Sequence, residues 1–287
     1  MEPELIADYA CVTGEGPIWH PDEKRIYWLD IPQGRIFRYD PQTGHHEMCY
    51  EGEPVGGMTV QADGTLLLFG ERGSVRVWRE GIIKTIREDI PEERESRFND
   101  VMADTRGRVY CGTMPTKDRL GRLYRLELDG SATKLLEGII CSNGLGFTPD
   151  HKQLYYTDSM KREIYLFDYD EETGDISNQR VFVRVPDREG EGIPDGMTVD
   201  AEGYVWSARW DGSCMVRYAP DGNVVMKVPF PAKKVSCMIF GGEDYTDIYV
   251  TTAGGNNKTE EGEGAGALFR VNLGIRGVPE FRSRVCL

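Results

Sequence analysis

The sequence of 287 residues predicts an all-β fold, a six-bladed β-propeller with four antiparallel strands in each blade. The first observation is a short polar or glycine-rich segment that recurs at intervals of roughly 40 to 50 residues, as expected for propeller blades. The second is a pair of hairpin-like patterns behind each of these segments. The third is that six such repeats fill nearly all of the chain, so one domain over residues 1–287 is expected. The recurring segments are centred on Glu15, Gly57, Asn99, Asn143, Asp195 and Cys237.

Each repeat contains an inner hairpin, in which two apolar runs flank a turn rich in Asp, Gly or Pro. The inner hairpins are residues 18–31, 59–70, 101–113, 146–159, 198–210 and 238–253. An outer hairpin follows, and its first strand alternates apolar and polar residues with the period of two that a strand requires. These outer hairpins open with residues 34–40, 73–80, 121–130, 162–170, 213–222 and 266–274. We expect the stretch Leu5–Val12 to complete the last blade, with Phe281–Leu287 as the alternative.

Composition restricts the class of partner. The chain carries 34 Lys and Arg against 48 Asp and Glu, which argues against a basic surface for nucleic acid or an anionic membrane. No apolar run approaches the roughly 20 residues of a membrane helix, and the acidic stretch Met1–Ala10 does not resemble a secretory signal, so a cytoplasmic location is expected. The seven cysteines are odd in number and lack metal-binding spacing, so we expect free thiols.

In a propeller, the loop that enters the innermost strand and the connection from the second to the third strand lie on the same face, around the central channel. We therefore expect the recurring segments to meet there and to form the functional site. Their oxygen-bearing side chains suit a hard divalent cation such as Ca²⁺ or Mg²⁺, and Mn²⁺, Fe²⁺ and Zn²⁺ stay open. Taken singly, each segment also fits an ordinary turn. The oxygen-bearing residues are Glu15, Asn99, Asp100, Asn143 and Asp195. The four histidines fall outside the recurring segments, at His20, His45, His46 and His151.

Four of the segments carry motifs that resemble those of the gluconolactonase, regucalcin (senescence marker protein) and luciferin-regenerating enzyme family. The resemblance spans about residues 12–255, and the motifs follow the family's order. They are Gly14-Glu15-Gly16-Pro17, Arg97-Phe98-Asn99-Asp100, Ser142-Asn143-Gly144 and Pro194-Asp195-Gly196. The resemblance implies one divalent metal, Ca²⁺ in the first place, held by Glu15, Asn143 and Asp195. It also implies that Arg97 and Asn99 bind substrate oxygens.

One position departs from the family's pattern. Many members have a glutamate that contacts substrate hydroxyls about four residues before a Gly-x-Leu-Tyr stretch, and this chain has Lys117 there. Lys117 falls in a connection from a second to a third strand, so we expect it on the face of the site. It is a candidate substrate-binding residue that changes the substrate preference, and a solvated loop lysine is the alternative.

The resemblance and the residue types together predict a metal-dependent hydrolase of sugar-acid lactones, such as gluconolactone or xylonolactone. The cation would polarise the ester carbonyl, and Asp195 would be the base that activates water. No Gly-x-Ser-x-Gly motif indicates a covalent mechanism. The expected partner is a small sugar lactone, and the sequence leaves the oligomeric state open. Hydrolysis of organophosphates or aryl esters, and calcium binding without catalysis, are the alternatives.

Overall fold

The computed structural model describes residues 2–287, and its strands form six sheets of four. In each sheet neighbouring strands pair antiparallel, in the order expected of a propeller blade. The predicted all-β, six-bladed propeller is therefore confirmed. The first strand of the chain, β1, spans Glu4–Asp8.

In blades 1 to 5 the strands follow one another in chain order from the innermost to the outermost, and blade 6 takes β1 as its fourth strand. Blade 1 contains β2 (Gly14–His20), β3 (Arg25–Asp30), β4 (Arg35–Tyr39) and β5 (His46–Glu51). Blade 2 contains β6 (Val55–Val60), β7 (Leu66–Gly70), β8 (Val75–Arg79) and β9 (Ile82–Arg87). Blade 3 contains β10 (Phe98–Ala103), β11 (Val109–Thr113), β12 (Gly121–Leu126) and β13 (Ala132–Ile139). Blade 4 contains β14 (Ser142–Phe147), β15 (Gln153–Asp158), β16 (Glu163–Tyr169) and β17 (Ile176–Arg184). Blade 5 contains β18 (Ile193–Val199), β19 (Val205–Trp210), β20 (Cys214–Tyr218) and β21 (Val224–Pro229). Blade 6 contains β22 (Lys234–Gly241), β23 (Asp247–Ala253), β24 (Ala267–Asn272) and, outermost, β1.

Helical structure is confined to short connections. The 3₁₀ helices of the described chain are Ile31–Gln33, Pro91–Glu93, Ser159–Lys161 and Gly255–Asn257. One turn of α-helix, α1, spans Lys258–Glu261. Within residues 2–287 no helix has the length and apolar character needed to cross a membrane.

The six innermost strands form a closed ring around the channel. Each of them packs against the innermost strands of both neighbouring blades, and β22 against β2 completes the circle. A separate cluster of buried apolar side chains fills each of the six interfaces between blades. Between blades 5 and 6, for example, Trp206 meets Phe240 edge to face with ring centroids 6.2 Å apart. Burial of these clusters holds the blades together in place of one central core.

The recurring polar segments lie inside the innermost strands, and not in loops ahead of them as the sequence suggested. All six strands shift their hydrogen-bond register at this level, which is the mark of a β-bulge. The bulge explains the difference, because pairing continues on both sides of the irregular segment. The shifts fall between Glu15 and Ile18, Val55 and Gly57, Phe98 and Val101, Asn143 and Leu145, Pro194 and Met197, and Val235 and Cys237.

The last blade takes its outermost strand from the beginning of the chain. β1 pairs with β24, from Glu4 opposite Arg270 to Asp8 opposite Ala267. Just beyond β1, Tyr9 stacks on Phe37 of blade 1, with 4.3 Å between the ring centroids. The prediction that the N-terminal strand closes the propeller is confirmed.

The C-terminal residues 273–287 cross the end of the channel that is opposite to the recurring segments. Ser283 N donates to Val60 O of blade 2 at 3.0 Å. Arg282 donates two hydrogen bonds to the carboxylate of Asp22 in blade 1, at 2.7 and 2.6 Å. The tail thus ties blades together on one face and leaves the face of the recurring segments uncovered.

The seven cysteines are all free thiols, as the sequence predicts. Cys237 is buried and lines the central channel, whereas Cys286 is exposed in the tail. Ring closure therefore depends on strand pairing by β1 and not on a disulfide.

Removal of residues 2–9 is expected to destabilise the propeller, because β24 loses its ladder partner and Phe37 loses the ring of Tyr9. We expect the midpoint of thermal unfolding to fall by about 5 to 10 °C. A matched control removes Leu287, which is 62% exposed, and should leave the midpoint unchanged within about 1 °C. A truncated protein that melts with the full chain would contradict closure by β1.

Candidate active site

The face on which the innermost strands begin contains a cavity of about 270 Å³. This volume is just below the range of ligand sites, about 300–1,000 Å³, so the cavity suits a small molecule. Its lining residues are Thr13, Glu15, Arg97, Asn99, Met114, Cys141, Asn143, Ser159, Met160, Ile193, Asp195 and Trp210.

The structure brings five of the six predicted site residues together in this cavity, from blades 1, 3, 4 and 5. These five are Glu15, Arg97, Asn99, Asn143 and Asp195. The sixth, Lys117, is exposed in the connection between β11 and β12 and does not line the cavity. Its expected contact with substrate stays a prediction.

Close packing of the inner ring explains the glycines beside the two predicted acids. A Cβ atom at Gly196, which follows Asp195, would lie only 2.3 Å from Sγ of Cys237 in the next blade. Gly16, which follows Glu15, has a φ of +52°, a backbone conformation that glycine adopts without strain. The Glu-Gly and Asp-Gly pairs of the sequence are therefore requirements of bulged strands in a narrow ring, although the same dipeptides also fit turns.

A chain of hydrogen bonds crosses the site from Arg97 to Ser159. Arg97 Nη1 donates to Asn99 Oδ1 at 2.7 Å, and Asn99 Nδ2 donates to Asn143 Oδ1 at 2.7 Å. Asn143 Nδ2 then donates to Ser159 Oγ at 2.7 Å. Both amides are held in one orientation, and Asn143 Oδ1 keeps a second lone pair for a ligand.

Three carboxyl groups meet in and beside the cavity. Burial, together with the charges of Asp195 and Asp100, raises the pKa of Glu15 well above its usual value. Burial and the charge of Asp100 raise the pKa of Asp195 in the same way. Asp100 lines the adjoining channel, and burial raises its pKa to about 7. Among the described residues that line the cavity, Arg97 is the one cationic side chain, so ionised carboxylates there lack matching positive charge.

The donor set fits a divalent cation. The carboxylates of Glu15 and Asp195 are buried, as is the amide of Asn143, and all three offer oxygen atoms, which Ca²⁺ and Mg²⁺ prefer. A bound cation would also supply the missing positive charge. Within the described chain, no group of three or more His, Cys, Asp and Glu side chains is arranged for a metal. The amide oxygen is therefore an essential part of the predicted set.

Sequence reasoning missed apolar residues that line the cavity. Met114 and Met160 lie in connections from second to third strands, and Trp210 is the last residue of β19, just before such a connection. That topology had already been assigned to the face of the site, and it was the signal that could have found them.

The chain belongs to the SMP-30/gluconolactonase/LRE-like family, whose model matches residues 13–254. The match covers most of the chain and includes the four motifs described above. The resemblance predicted from those motifs is confirmed.

Individual relatives agree with this placement over the full length of the chain. The pentonolactonase XacC of Haloferax volcanii is 47% identical over 289 residues, which cover 98% of each chain. The regucalcin of Gallus gallus is 33% identical, with 97% of each chain covered. Among solved structures, a luciferin-regenerating enzyme superposes with a TM-score of 0.90 at 28% identity, over 99% of this chain and 100% of that one.

The crowded carboxyl groups predict how pH affects the metal-free protein. Their folded pKa values are raised, so their contribution to stability is present below the ordinary pKa of about 4 and is lost as pH rises through the raised values, about 7 for Asp100. Asp195→Asn removes one of these charges. Metal-free Asp195→Asn should therefore melt a few degrees above the metal-free wild type at pH 8, and this difference should shrink towards pH 4.

The measurement is thermal unfolding of both proteins in a chelator between pH 4 and pH 8. Addition of a divalent cation at pH 8 should reverse the order, because only the wild type keeps the full donor set. An Asp195→Asn protein that melts below the wild type in chelator at pH 8 would show that the charges do not oppose folding.

Proposed function

We propose that this protein is a metal-dependent lactonase that hydrolyses sugar-acid lactones of pentono- or hexonolactone size. The observation that carries the proposal is the meeting of two carboxylates, an amide oxygen and a guanidinium in one cavity of about 270 Å³. The pentonolactonase at 47% identity over nearly the whole chain supports the choice of substrate class.

In this proposal Glu15, Asn143 and Asp195 hold one divalent cation, with Ca²⁺ as the first candidate and Mg²⁺, Mn²⁺, Fe²⁺ and Zn²⁺ as alternatives. When bound, the cation supplies Lewis-acid polarisation of the lactone carbonyl. Burial supports this role, because Glu15 is 3% exposed and Asp195 5%, which strengthens electrostatic interactions at the site.

Arg97 and Asn99 orient the lactone. Arg97 uses Nη1 for Phe98 O and Asn99 Oδ1, at 2.8 and 2.7 Å, so Nε and Nη2 remain to donate to substrate oxygens. Such charge-assisted hydrogen bonds strengthen where an oxygen gains negative charge in the transition state. Asn99 gives a neutral contact beside it.

Asp195 is the proposed base. Its buried carboxylate lines the cavity, and a bound cation would hold its pKa low, so that it is ionised and free to accept a proton. It takes the proton of the attacking water while the new C–O bond forms at the carbonyl carbon. The ring C–O bond then breaks, and the proton passes to the departing ring oxygen to give the open hydroxy acid.

Among residues 2–287, no histidine lines the cavity beside Cys141 or Ser159, so an acyl-enzyme on either residue lacks its usual base.

Hydrolysis of a panel of aldonolactones by metal-stripped protein, with single cations added back, tests the proposal. We expect turnover above the spontaneous rate only with a cation present. Asp195→Asn should lower kcat by at least about 100-fold, because it loses the base and a metal ligand. Circular dichroism and the thermal midpoint provide the control for an intact fold.

The other functions compatible with the residues give different outcomes. Turnover of phosphotriesters or aryl esters without turnover of aldonolactones would replace the substrate class. Tight Ca²⁺ binding in calorimetry with no turnover of any substrate would favour a calcium-binding role.

Lys117 is proposed to reach the substrate from the rim of the site, although it does not line the cavity. Lys117→Glu should then change the ratio of kcat/KM between pentono- and hexonolactones by about threefold or more. The reason is that an ammonium donates hydrogen bonds to the substrate's hydroxyl groups, whereas a carboxylate accepts them. Lys84→Glu makes the same change of charge on an exposed outer strand and should leave the ratio as it is. An unchanged ratio in both variants would leave Lys117 as a solvated loop residue.

A further inference from the structure

Trp210 differs from the other tryptophans of the chain in its surroundings. Trp19, Trp28, Trp78 and Trp206 are at most 6% exposed and belong to the interfaces between blades. Trp210 is only partly buried, and it lines the cavity of the candidate site. A partly exposed indole at a cavity wall has no role in packing the blades, so it is available for a ligand.

The register of blade 5 fixes the position of Trp210 relative to the proposed base. Trp210 is the last residue of β19, and it pairs with Ile193 at the start of β18. Asp195 lies two residues further along β18, at the bulge. Trp210 therefore lies beside the segment of β18 that contains Asp195.

The cavity is lined by two chemically different kinds of side chain. Besides the carboxylates, amides and guanidinium described above, it has several apolar side chains. A sugar lactone has the same two kinds of surface, with oxygen atoms around its edge and C–H groups on its ring faces. The apolar lining residues are Met114, Met160, Ile193 and Trp210.

Lys234 and Glu261 hold the indole in place. Lys234 Nζ lies over the indole ring of Trp210, 5.5 Å from its centroid, which is within the range of a cation–π interaction. The same ammonium pairs with the carboxylate of Glu261, at the end of α1, and lies 3.5 Å from Asp211 Oδ1. Lys234 and Glu261 are 19% and 16% exposed, so solvent screens their pairing only in part. Because Lys234 covers part of the indole ring, the rest of the ring is what remains available to contact a ligand in the cavity.

We propose that Trp210 is a specificity-determining residue that packs its indole against the C–H face of the lactone ring. This inference rests on the proposed lactonase function and names the feature of the substrate that the apolar lining residues recognise. The π-face of indole carries partial negative charge, and C–H groups next to ring oxygens carry partial positive charge, so the two surfaces attract. Ring opening removes the flat C–H face, and the open acid loses this contact. The site therefore prefers ring-closed substrate over its own product.

Three substitutions of Trp210 test whether the lactone contacts an aromatic ring or any apolar side chain of sufficient volume. Trp210→Ala should raise KM for the best aldonolactone about tenfold or more and change kcat less, because the contact is made in the ground state as well as in the transition state. Trp210→Leu keeps apolar volume without the ring and should resemble Trp210→Ala. Trp210→Phe keeps a ring and should stay within about threefold of the wild type. Val224→Ala, on the exposed outer strand of the same blade, is the matched control and should have no effect.

A binding measurement supplies a readout that does not need turnover. Titration of the wild type with the corresponding sugar lactam, which has the lactone's ring but resists hydrolysis, should change tryptophan fluorescence, because Trp210 is the accessible indole. The change should vanish in Trp210→Phe, whose remaining tryptophans are buried. The open-chain aldonate should change the fluorescence of the wild type much less than the lactam does.

The outcomes distinguish failure of this inference from failure of the proposed function. Turnover by the wild type with unchanged KM in Trp210→Ala would overturn this inference and leave the lactonase intact. A Trp210→Leu enzyme that matches Trp210→Phe would show that bulk and not the ring is recognised, and this also overturns the inference. If the wild type opens no aldonolactone, the proposed function fails, and absence of the lactam signal then overturns this inference as well. If Trp210→Ala fails to fold, Trp210→Leu and the fluorescence titration carry the test.

Discussion

A β-bulge at the same level of all six innermost strands is the constraint on which the site depends. In a regular strand, side chains alternate between the two faces of the sheet, and in a propeller those faces meet the neighbouring blades. A bulge interrupts this alternation and changes the direction in which nearby side chains point. In this ring, the side chains at the bulges line the channel and the cavity. Because the ring brings the same level of different blades together, Glu15, Asn143 and Asp195 share one cavity although they are far apart in the sequence.

Folding assembles this site against electrostatic repulsion. Glu15, Asp195 and Asp100 are packed together with one guanidinium, and their raised pKa values express the resistance of buried carboxylates to ionisation. The free energy that opposes the repulsion comes from elsewhere, from the apolar clusters between blades and from the strand that closes blade 6. Stabilisation at the interfaces between blades thus offsets the unfavourable free energy of the buried carboxyl groups. Such a trade-off between stability and function is common at functional sites.

Periodicity made much of this structure predictable. Each blade repeats the phase of one polar segment, so the blade count followed from spacing, and five cavity residues followed from motif order and the family resemblance. Closure by the N-terminal strand was favoured over closure by the C-terminal segment, but spacing did not determine it. The bulges did not follow, because a register shift depends on which backbone groups pair, and composition does not specify that. Trp210 was missed because an aromatic residue at a strand end resembles core packing. The path of residues 273–287 belongs to no repeat, and contacts with the turns of several blades determine it.

The hydrogen-bond chain explains why an asparagine completes the predicted donor set. Arg97 can only donate and the carbonyl of Ser142 can only accept, so Asn99 must turn Oδ1 to Arg97 and Nδ2 to Ser142. Asn99 Nδ2 also faces Asn143, whose Oδ1 must accept, and Asn143 Nδ2 therefore turns to Ser159. An aspartate in place of Asn143 could not donate a hydrogen bond to Ser159 Oγ, and it would add another buried negative charge. Arg97 thus fixes, through two amides, which oxygen the site offers, in addition to its proposed contact with substrate.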